Sequence, residues 1–471
     1  MKWSDNQQAI FAHVADPHAG SAVVEAVAGS GKTTTIVEAM KYLPAGQQVA
    51  FMAFNASIAK ELANRVPEGV SCMTLNSLGH RAVMSACGRV QLEANKVRGL
   101  VREVVPADWH KDLPEWVTAT IKLVSLAKAH ALAPESDDFP ELALHHGLEY
   151  NHEIDQYARK VLRASTLDTR VIDFDDQLYL PVMNGWLPRQ RFDVIFVDEA
   201  QDVSTVQRQL IAMALKPGGR VVAVGDRRQA IYGFRGADSE SLQNIVRDFN
   251  AVTLPLDVTY RCPRAVVALA NTIAPEIKPA PDAPEGTVTT VRNAQPGAGD
   301  LVLCRNNAPL LSLAFSMLAS GRACTVMGRD IGTTLINFLQ RFRKRTVGQL
   351  VEAVANWRDV EMAKAVKAEN GTKADAVDDR AACVFAVAEG LPEAAPVGEL
   401  VQRVKDIFAA GGGATLSSVH RAKGLEARDV YILEPKLMPS RFARQPWQKV
   451  QEDNLMYVAY TRAQSNLYFM G

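Results

Sequence analysis

The sequence predicts an α/β protein with two parallel-sheet cores flanked by helices, each core interrupted by a helical insertion. Three observations carry that expectation. Short β-rich runs alternate with helix-periodic stretches, residues Ala26 to Thr33 read AVAGSGKT, and the apolar run VIFVDEAQD puts Asp198 and Glu199 at a strand end. Alternation of this kind indicates a parallel sheet covered by helices. At 471 residues the chain is too long for one core, and about two to four domains are expected.

The first core opens with VVEAV and VAFMAF and closes with FDVIFV and VVAVG, which assigns it residues 1–87 and 166–253. Between Gly88 and Thr166 the sequence turns polar and helix-periodic, as in WVTATIKLVSLAKAHAL, so 88–165 reads as a helical insertion. Alternation then resumes with DLVLCRN, CTVMG, ATLSSVH, VYILE and NLYFM, placing a second core over 254–329 and 411–471. The Pro-rich stretch Pro275 to Pro296 reads as a surface connection inside it. A helix-like block over 330–410 interrupts this core and ends at Gly411, Gly412 and Gly413, a flexible joint. Within that block Thr346 and Gln349 have capping-box spacing.

Hydrophobic content of 48% with 22% charged residues describes an ordinary globular protein. Lys plus Arg and Asp plus Glu both total 52, so no net basic field advertises a polyanionic partner, and any nucleic-acid site must be a local groove. The six cysteines form no CxxC pair, which argues for a reducing compartment and against zinc. His145, His146 and His152 lack Cys or carboxylate ligands at metal spacing and read as solvated helix residues. No cationic N-terminus precedes an apolar stretch, and no run approaches the roughly 18 apolar residues of a membrane span. A cytoplasmic location is expected. The chain stops at Gly471, just after the last core strand, so no appended nuclease domain is expected.

AVAGSGKT sits where VVEAV hands over to the helix-forming run Thr33 to Leu43. At such a junction unpaired backbone N–H groups and the positive end of the helix dipole face an anion. Ala28, Gly29, Ser30, Gly31, Lys32, Thr33 and Thr34 form the candidate nucleotide cradle: the glycines wrap phosphate, Lys32 reaches the β and γ oxygens, and Thr33 offers a hydroxyl to Mg²⁺. Ala26 stands where the general pattern has its first Gly, and a chance Gly-rich turn is the alternative for this motif alone. Paired carboxylates at a buried strand end are costly unless a cation or a reaction uses them. Asp198 is therefore the candidate Mg²⁺ ligand and Glu199 the group that orients and deprotonates the attacking water. The alternative for this pair is N-capping of a helix beginning near Ser204. Together the two motifs point to nucleoside triphosphate hydrolysis.

By this point the chain resembles the UvrD/Rep/PcrA-like helicases of superfamily 1A, whose motifs occur here in the family's order over nearly the whole length. The resemblance implies two RecA-like P-loop NTPase cores. SDNQQAI looks like the Q motif, making Gln7 the contact to adenine; AVAGSGKT has the family's own phosphate loop, Ala26 included; DEAQD matches the second motif. GDRRQAIYGFRGA is similar to the third, so Gln229 would bridge the γ-phosphate and the DNA groove while Tyr232 and Phe234 stack bases. LDVTYRCP resembles the fourth motif, with Tyr260 against the adenine and Arg261 as an arginine finger, and DNLMYVAYTRA the sixth, with Arg462 as the other finger. SSVHRAKGLE is similar to the fifth, which implies strand contacts from Ser418 and His420 and a ribose contact from Glu426. MAFN and MTLNSLG resemble DNA-contact motifs and place Phe54, Asn55, Thr74 and Ser77 along the backbone path. DFDDQ, Asp173 to Gln177, fits the family's acidic segment, for which a structural network is the expected use.

The resemblance implies an ATP- and Mg²⁺-dependent DNA helicase that moves 3′ to 5′ on single-stranded DNA and separates tailed duplexes, working as a monomer with room for a protein partner in processive unwinding. Ala56, Asn76 and Thr34 depart from the residues most members carry, which bears on strand binding rather than hydrolysis. The second insertion is short, about 80 residues. That motivates an alternative, an ATP-switched module that binds single strands or displaces proteins without unwinding. Arg341, Arg343, Lys344 and Arg345 in that insertion could grip nucleic-acid backbone, although a solvated basic helix face is the plainer reading. A small-molecule phosphotransferase would leave Gln229, Arg261, Arg462 and the aromatic pair unexplained.

Overall fold

The computed structural model describes residues 3–231, 240–292, 294–367 and 370–471. The chain divides into two compact units, Met1–Asp257 and Val258–Gly471. In the first, β1 (Ala22–Ala26), β2 (Val49–Met52), β3 (Ser71–Met73), β4 (Phe192–Val197), β5 (Leu215–Gly225) and β6 (Val252–Leu256) form a six-stranded parallel sheet in the order β3-β2-β4-β5-β1-β6. Val23, Val24, Ala50, Phe51, Ile195, Phe196, Ala223 and Val224 are wholly buried. A sheet covered on both faces reads as continuous apolar runs rather than alternation, which is how these strands look in the sequence.

Two expected boundaries move. The one between 253 and 254 falls inside β6, which pairs with β1 from Ala22↔Val252 to Ala26↔Leu256 and so belongs to the first core. Pro255 lacks an amide for a second neighbour, and β6 accordingly lies at the sheet edge. The boundary between 165 and 166 falls inside the helix His152–Leu167.

The first insertion consists mainly of the helices Lys96–Val104, Pro114–Ala129, Phe139–His145 and His152–Leu167. Charged side chains bolt it to the core. Lys128 lies 2.8 Å from Asp173 and 2.7 Å from Asp176, and Lys96 lies 2.7 Å from Asp176, all four side chains nearly or wholly buried. The two aspartates belong to DFDDQ, so the acidic segment does form a structural network. Its carboxylates hold the Lys128 ammonium above its ordinary value against the pull of burial. Removing one partner from a buried pair strands the others, so Lys128→Ala is expected to cost about 3–5 kcal/mol, read as a lowered urea midpoint for the first unit.

His146 corrects the expectation of solvated histidines. Its Nε2 is buried without a hydrogen bond among the described residues, its ring stacks edge-on against His145 at 5.0 Å and His130 at 5.8 Å, and burial, then its histidine neighbours, pushes its pKa down to about 3. No group of three or more potential metal ligands occurs among the described residues.

The second unit carries β7 (Thr287–Val291), β8 (Leu301–Cys304), β9 (Cys324–Val326), β10 (Ala414–Ser418), β11 (Ala427–Leu433) and β12 (Ala463–Met470), a six-stranded parallel sheet ordered β7-β12-β11-β8-β10-β9. β7 lies within the Pro-rich stretch read as a connection. Its mostly exposed TVTTV pairs with β12 alone, from Thr287↔Asn466 to Val291↔Met470, so an edge strand replaces part of the expected loop. Between β9 and β10 run the helices Arg329–Arg341, Val347–Lys367, Gly371–Ala388 and Val397–Ala409. The Gln349 amide donates to Thr346 Oγ1 at 3.4 Å at the start of the second, and Arg341, Arg343, Lys344 and Arg345 are exposed. Among the described residues no helix is long and apolar enough to cross a membrane.

Candidate functional site

The carboxyl ends of β1, β4 and β5 meet at one place in the first unit. β5 lies between the other two in the sheet, so residues following β1 and β4 face each other across its end. After β1, Gly29 and Gly31 take φ of 72° and 77°, a left-handed conformation that side chains resist, and the chain turns into the helix Lys32–Ala39. Ala26 is still in the strand, 5% exposed, so the motif's missing glycine costs the turn nothing. Ser30 is buried, with its hydroxyl donating to Val27 O at 2.8 Å; Ala28 is buried as well. Thr34 follows in the first turn of the helix.

Thr33 Oγ1 donates to Asp198 Oδ2 at 2.9 Å, and Lys32 Nζ lies 3.9 Å from Glu199 Oε1. The segments 165 residues apart thus join as the motifs require. Glu199 is strained at φ 50°, an uncommon backbone for a residue with a side chain. Its carboxylate accepts from Gln201 Nε2 at 2.5 Å. The capping alternative fails here: the helix Thr205–Ala214 is capped by Ser204 and Gln207 instead. Burial, then the neighbouring Glu199, raises the Asp198 pKa against the opposing pull of Lys32 and Thr33.

Two residues that sequence reasoning left without a role complete the site. Gln201 Oε1 accepts from the Asp226 amide at 3.0 Å, and Gly225 makes that approach possible, since a Cβ there would lie 2.6 Å from the same oxygen. Asp226 is buried, with its pKa raised by that burial, and accepts from Gln229 Nε2 at 2.7 Å. Gln229 is thereby linked to Glu199 through Asp226 and Gln201. Their places inside DEAQD and GDRRQ were the available signal. Gln7 is 3% exposed; its Nε2 donates to Thr35 Oγ1 at 2.9 Å and its Oε1 accepts from the Ser4 amide at 3.0 Å, which ties the first helix to the phosphate-loop helix. Tyr232 and Phe234 lie outside the described residues.

A groove of about 340 Å³ opens on the same unit, lined by Phe54, Asn76, Phe174, Ser204 and Gln207 among others. Phe54 and Phe174 are 52% and 53% exposed, unusual for phenylalanine. Phe174 was missed in the sequence. Its two neighbours are committed elsewhere, Asp173 to Lys128 and Asp175 to Ser125 Oγ at 2.8 Å. Asn76 donates to Phe174 O at 2.9 Å and Gln177 Oε1 at 3.0 Å, fastening the segment to the helix Leu75–Cys87. Asn55 and Thr74 are helix N-caps, accepting from the amides of Ile58 at 2.9 Å and Ser77 at 3.1 Å, with Ser77 Oγ 3.0 Å from Thr74 Oγ1.

In the second unit Arg261, Glu426 and Arg462 gather around Thr461. Arg261 Nη2 pairs with Glu426 at 2.5 Å, and its Nη1 donates to Thr461 O at 3.3 Å, while its buried Nε has no hydrogen-bond acceptor among the described residues. Glu426 also accepts from Gln464 at 2.9 Å. Arg462 is 1% exposed and donates to Val458 O at 2.9 Å, Leu425 O at 3.3 Å and Thr461 Oγ1 at 3.2 Å. Tyr260 is half exposed. Ser418 ends β10, and His420 sits in the short helix that follows.

Comparison with known proteins fits this division. Residues 3–250 match the UvrD/REP helicase N-terminal domain, and residues 401–470 the UvrD-like helicase C-terminal domain. DNA helicase II of Escherichia coli is 27% identical over 283 residues, 53% of this chain and 38% of that protein. ATP-dependent DNA helicase Rep of the same organism is 26% identical over 277 residues, 54% of this chain and 41% of its own. ATP-dependent DNA helicase PcrA of Bacillus subtilis is 26% identical over 289 residues, 54% and 37%. The alignments therefore span about two fifths of these relatives' length. With residues 3–250, more than half of the chain, matched from the first helix to beyond the GDRRQ segment, the chain belongs to the UvrD/Rep helicase family.

Proposed function

We propose that this protein is an ATP- and Mg²⁺-dependent DNA helicase that walks 3′ to 5′ along single-stranded DNA. The observation that carries the reading is the Thr33–Asp198 contact beside Lys32 and Glu199, on the unit that also presents Phe54 and Phe174 to solvent. Thr33 and Asp198 are hard oxygen donors suited to Mg²⁺, which neutralises phosphate charge when bound. The amides of Ala28 to Thr34 and the Lys32 ammonium bind the phosphates. Glu199, held by Gln201, orients the attacking water and takes its proton. Gln229 responds to the γ-phosphate and passes that state to the segment carrying Tyr232 and Phe234.

Arg261 and Arg462 serve as arginine fingers, Tyr260 lies against the adenine, and Glu426 reaches the ribose. In the finger role Arg462 exchanges its carbonyl partners for phosphate oxygens, and Gln7 does the same with Thr35 to read the base. Along the strand, Asn55, Thr74, Ser77, Ser418 and His420 contact backbone, while Phe54 and Phe174 stack bases. Stacking on an aromatic tolerates any base because every base has a π-face.

ATP hydrolysis measured with and without single-stranded DNA, beside strand displacement on 3′- and 5′-tailed duplexes, tests the reading. Strong stimulation and displacement from the 3′ tail are expected; turnover indifferent to DNA sinks it. The second reading, a module that binds strands or strips proteins without unwinding, is favoured by the four-helix second insertion and predicts stimulated hydrolysis with no displacement. For the groove, Phe54→Ala and Phe174→Ala are each expected to weaken oligothymidine binding by about 1–3 kcal/mol in fluorescence anisotropy. Unchanged affinity in both variants would move the strand path elsewhere.

A further inference from the structure

Arg421 follows His420 and closes the short helix Val419–Arg421 at the end of β10. Its Nη1 and Nη2 reach the two carboxylate oxygens of Asp330 at 3.0 and 2.5 Å. Asp330 lies in the first turn of Arg329–Arg341, the opening helix of the second insertion. Gly328, at φ 103°, admits this approach, since a Cβ there would sit 3.1 Å from the guanidinium carbon. The two side chains remain 41% and 67% exposed, and the Arg421 hydrogen bonds hold the Asp330 carboxyl below its usual range. A cavity of about 310 Å³ opens beside them, lined also by Asn307, Thr334 and Arg380. Asp379 in the same wall is committed to the amides of Asn307 at 2.9 Å and Ala308 at 3.1 Å.

A guanidinium gripped on two prongs by a carboxylate presents the same two donors with which it grips a phosphodiester. Because the pair is exposed it is weak, and a polyanion delivering many phosphates at once can displace the carboxylate. We propose that Arg421 is a further phosphate contact for the single-stranded backbone, and that Asp330 is a built-in competitor that holds it when no strand is present. This rests on the reading above that Ser418 and His420 face the strand. Strand binding then releases the opening helix of the insertion from the β10 loop, so occupancy of the track is transmitted to the insertion through one ion pair.

A double-mutant cycle tests it, with anisotropy of a fluorescein-labelled oligothymidine of about 16 nucleotides across about 50–300 mM NaCl. Asp330→Asn is expected to bind about three- to fivefold more tightly, because Arg421 no longer has to leave a carboxylate first. Arg421→Ala is expected to bind more weakly and to lower the salt slope by about 0.7, one phosphate contact on a single strand. The gain from Asp330→Asn should vanish when Arg421 is already Ala. Persistence of that gain in the double variant reduces Asp330 to a general repulsive charge and overturns the proposal, as does an unchanged salt slope in Arg421→Ala. Wild-type protein that fails to bind the oligomer overturns the strand-binding reading itself; wild-type binding without coupling overturns this inference alone. Thermal melts of both single variants, expected to match wild type, separate these outcomes from misfolding.

Discussion

Glu199→Gln is expected to keep nucleotide binding and lose turnover by about 10²- to 10⁴-fold, the range for removing a positioned general base. The substitution preserves size and the bond to Gln201 while deleting the charge that draws a proton from water. Lys32, Thr33 and Asp198, proposed above to hold the nucleotide, keep their own side chains, although Lys32 loses the charge of its neighbour at 3.9 Å. Calorimetric titration with ATP and a phosphate-release assay at saturating single-stranded DNA read the two halves separately. Turnover near wild type would transfer the base to another carboxylate, and Asp226, buried beside Gln229, is the next candidate to test.

Arg261→Ala is expected to lower DNA-stimulated kcat by about 10³- to 10⁵-fold with little change in KM, because a finger acts on charge that develops only in the transition state. Arg261→Lys should rescue little, since a point charge lacks the planar fork. Glu426→Ala, read as kcat at saturating ATP because Glu426 is itself proposed to reach the ribose, supplies the control. If the Arg261 loss merely loosens the second unit by breaking its pair with Glu426, that variant reproduces it; if Arg261 meets phosphate, Glu426→Ala retains most of the rate.

Much of this site was legible because its chemistry is local in sequence. The phosphate loop occupies eight consecutive residues, and DEAQD trails an apolar strand; both are constrained by backbone geometry that leaves few residue choices. The central strands were equally visible, since a doubly covered parallel strand must be apolar throughout. What escaped lies where exposure removes that constraint. TVTTV in β7 is a solvent-exposed edge and carries no burial signal, and β6, with Pro255 inside, looks like the end of a domain rather than the rim of its sheet. Phe174 hides in an acidic run, and its exposure stands out only once Asp173 and Asp175 are seen to be occupied. His146 looks like any surface histidine until the helices close over it.

The register of β1 has a consequence for biosynthesis. Val24 is hydrogen-bonded between neighbours at Val224 and Leu254, each at least two hundred residues downstream. Such distant pairing is slow to form and leaves apolar edges open meanwhile. On the ribosome, β1 and the turn that follows it emerge long before their sheet is complete, since β1 has no second neighbour until translation has passed Leu256. A nascent chain that stalls before then leaves one edge of β1 without its neighbouring strand.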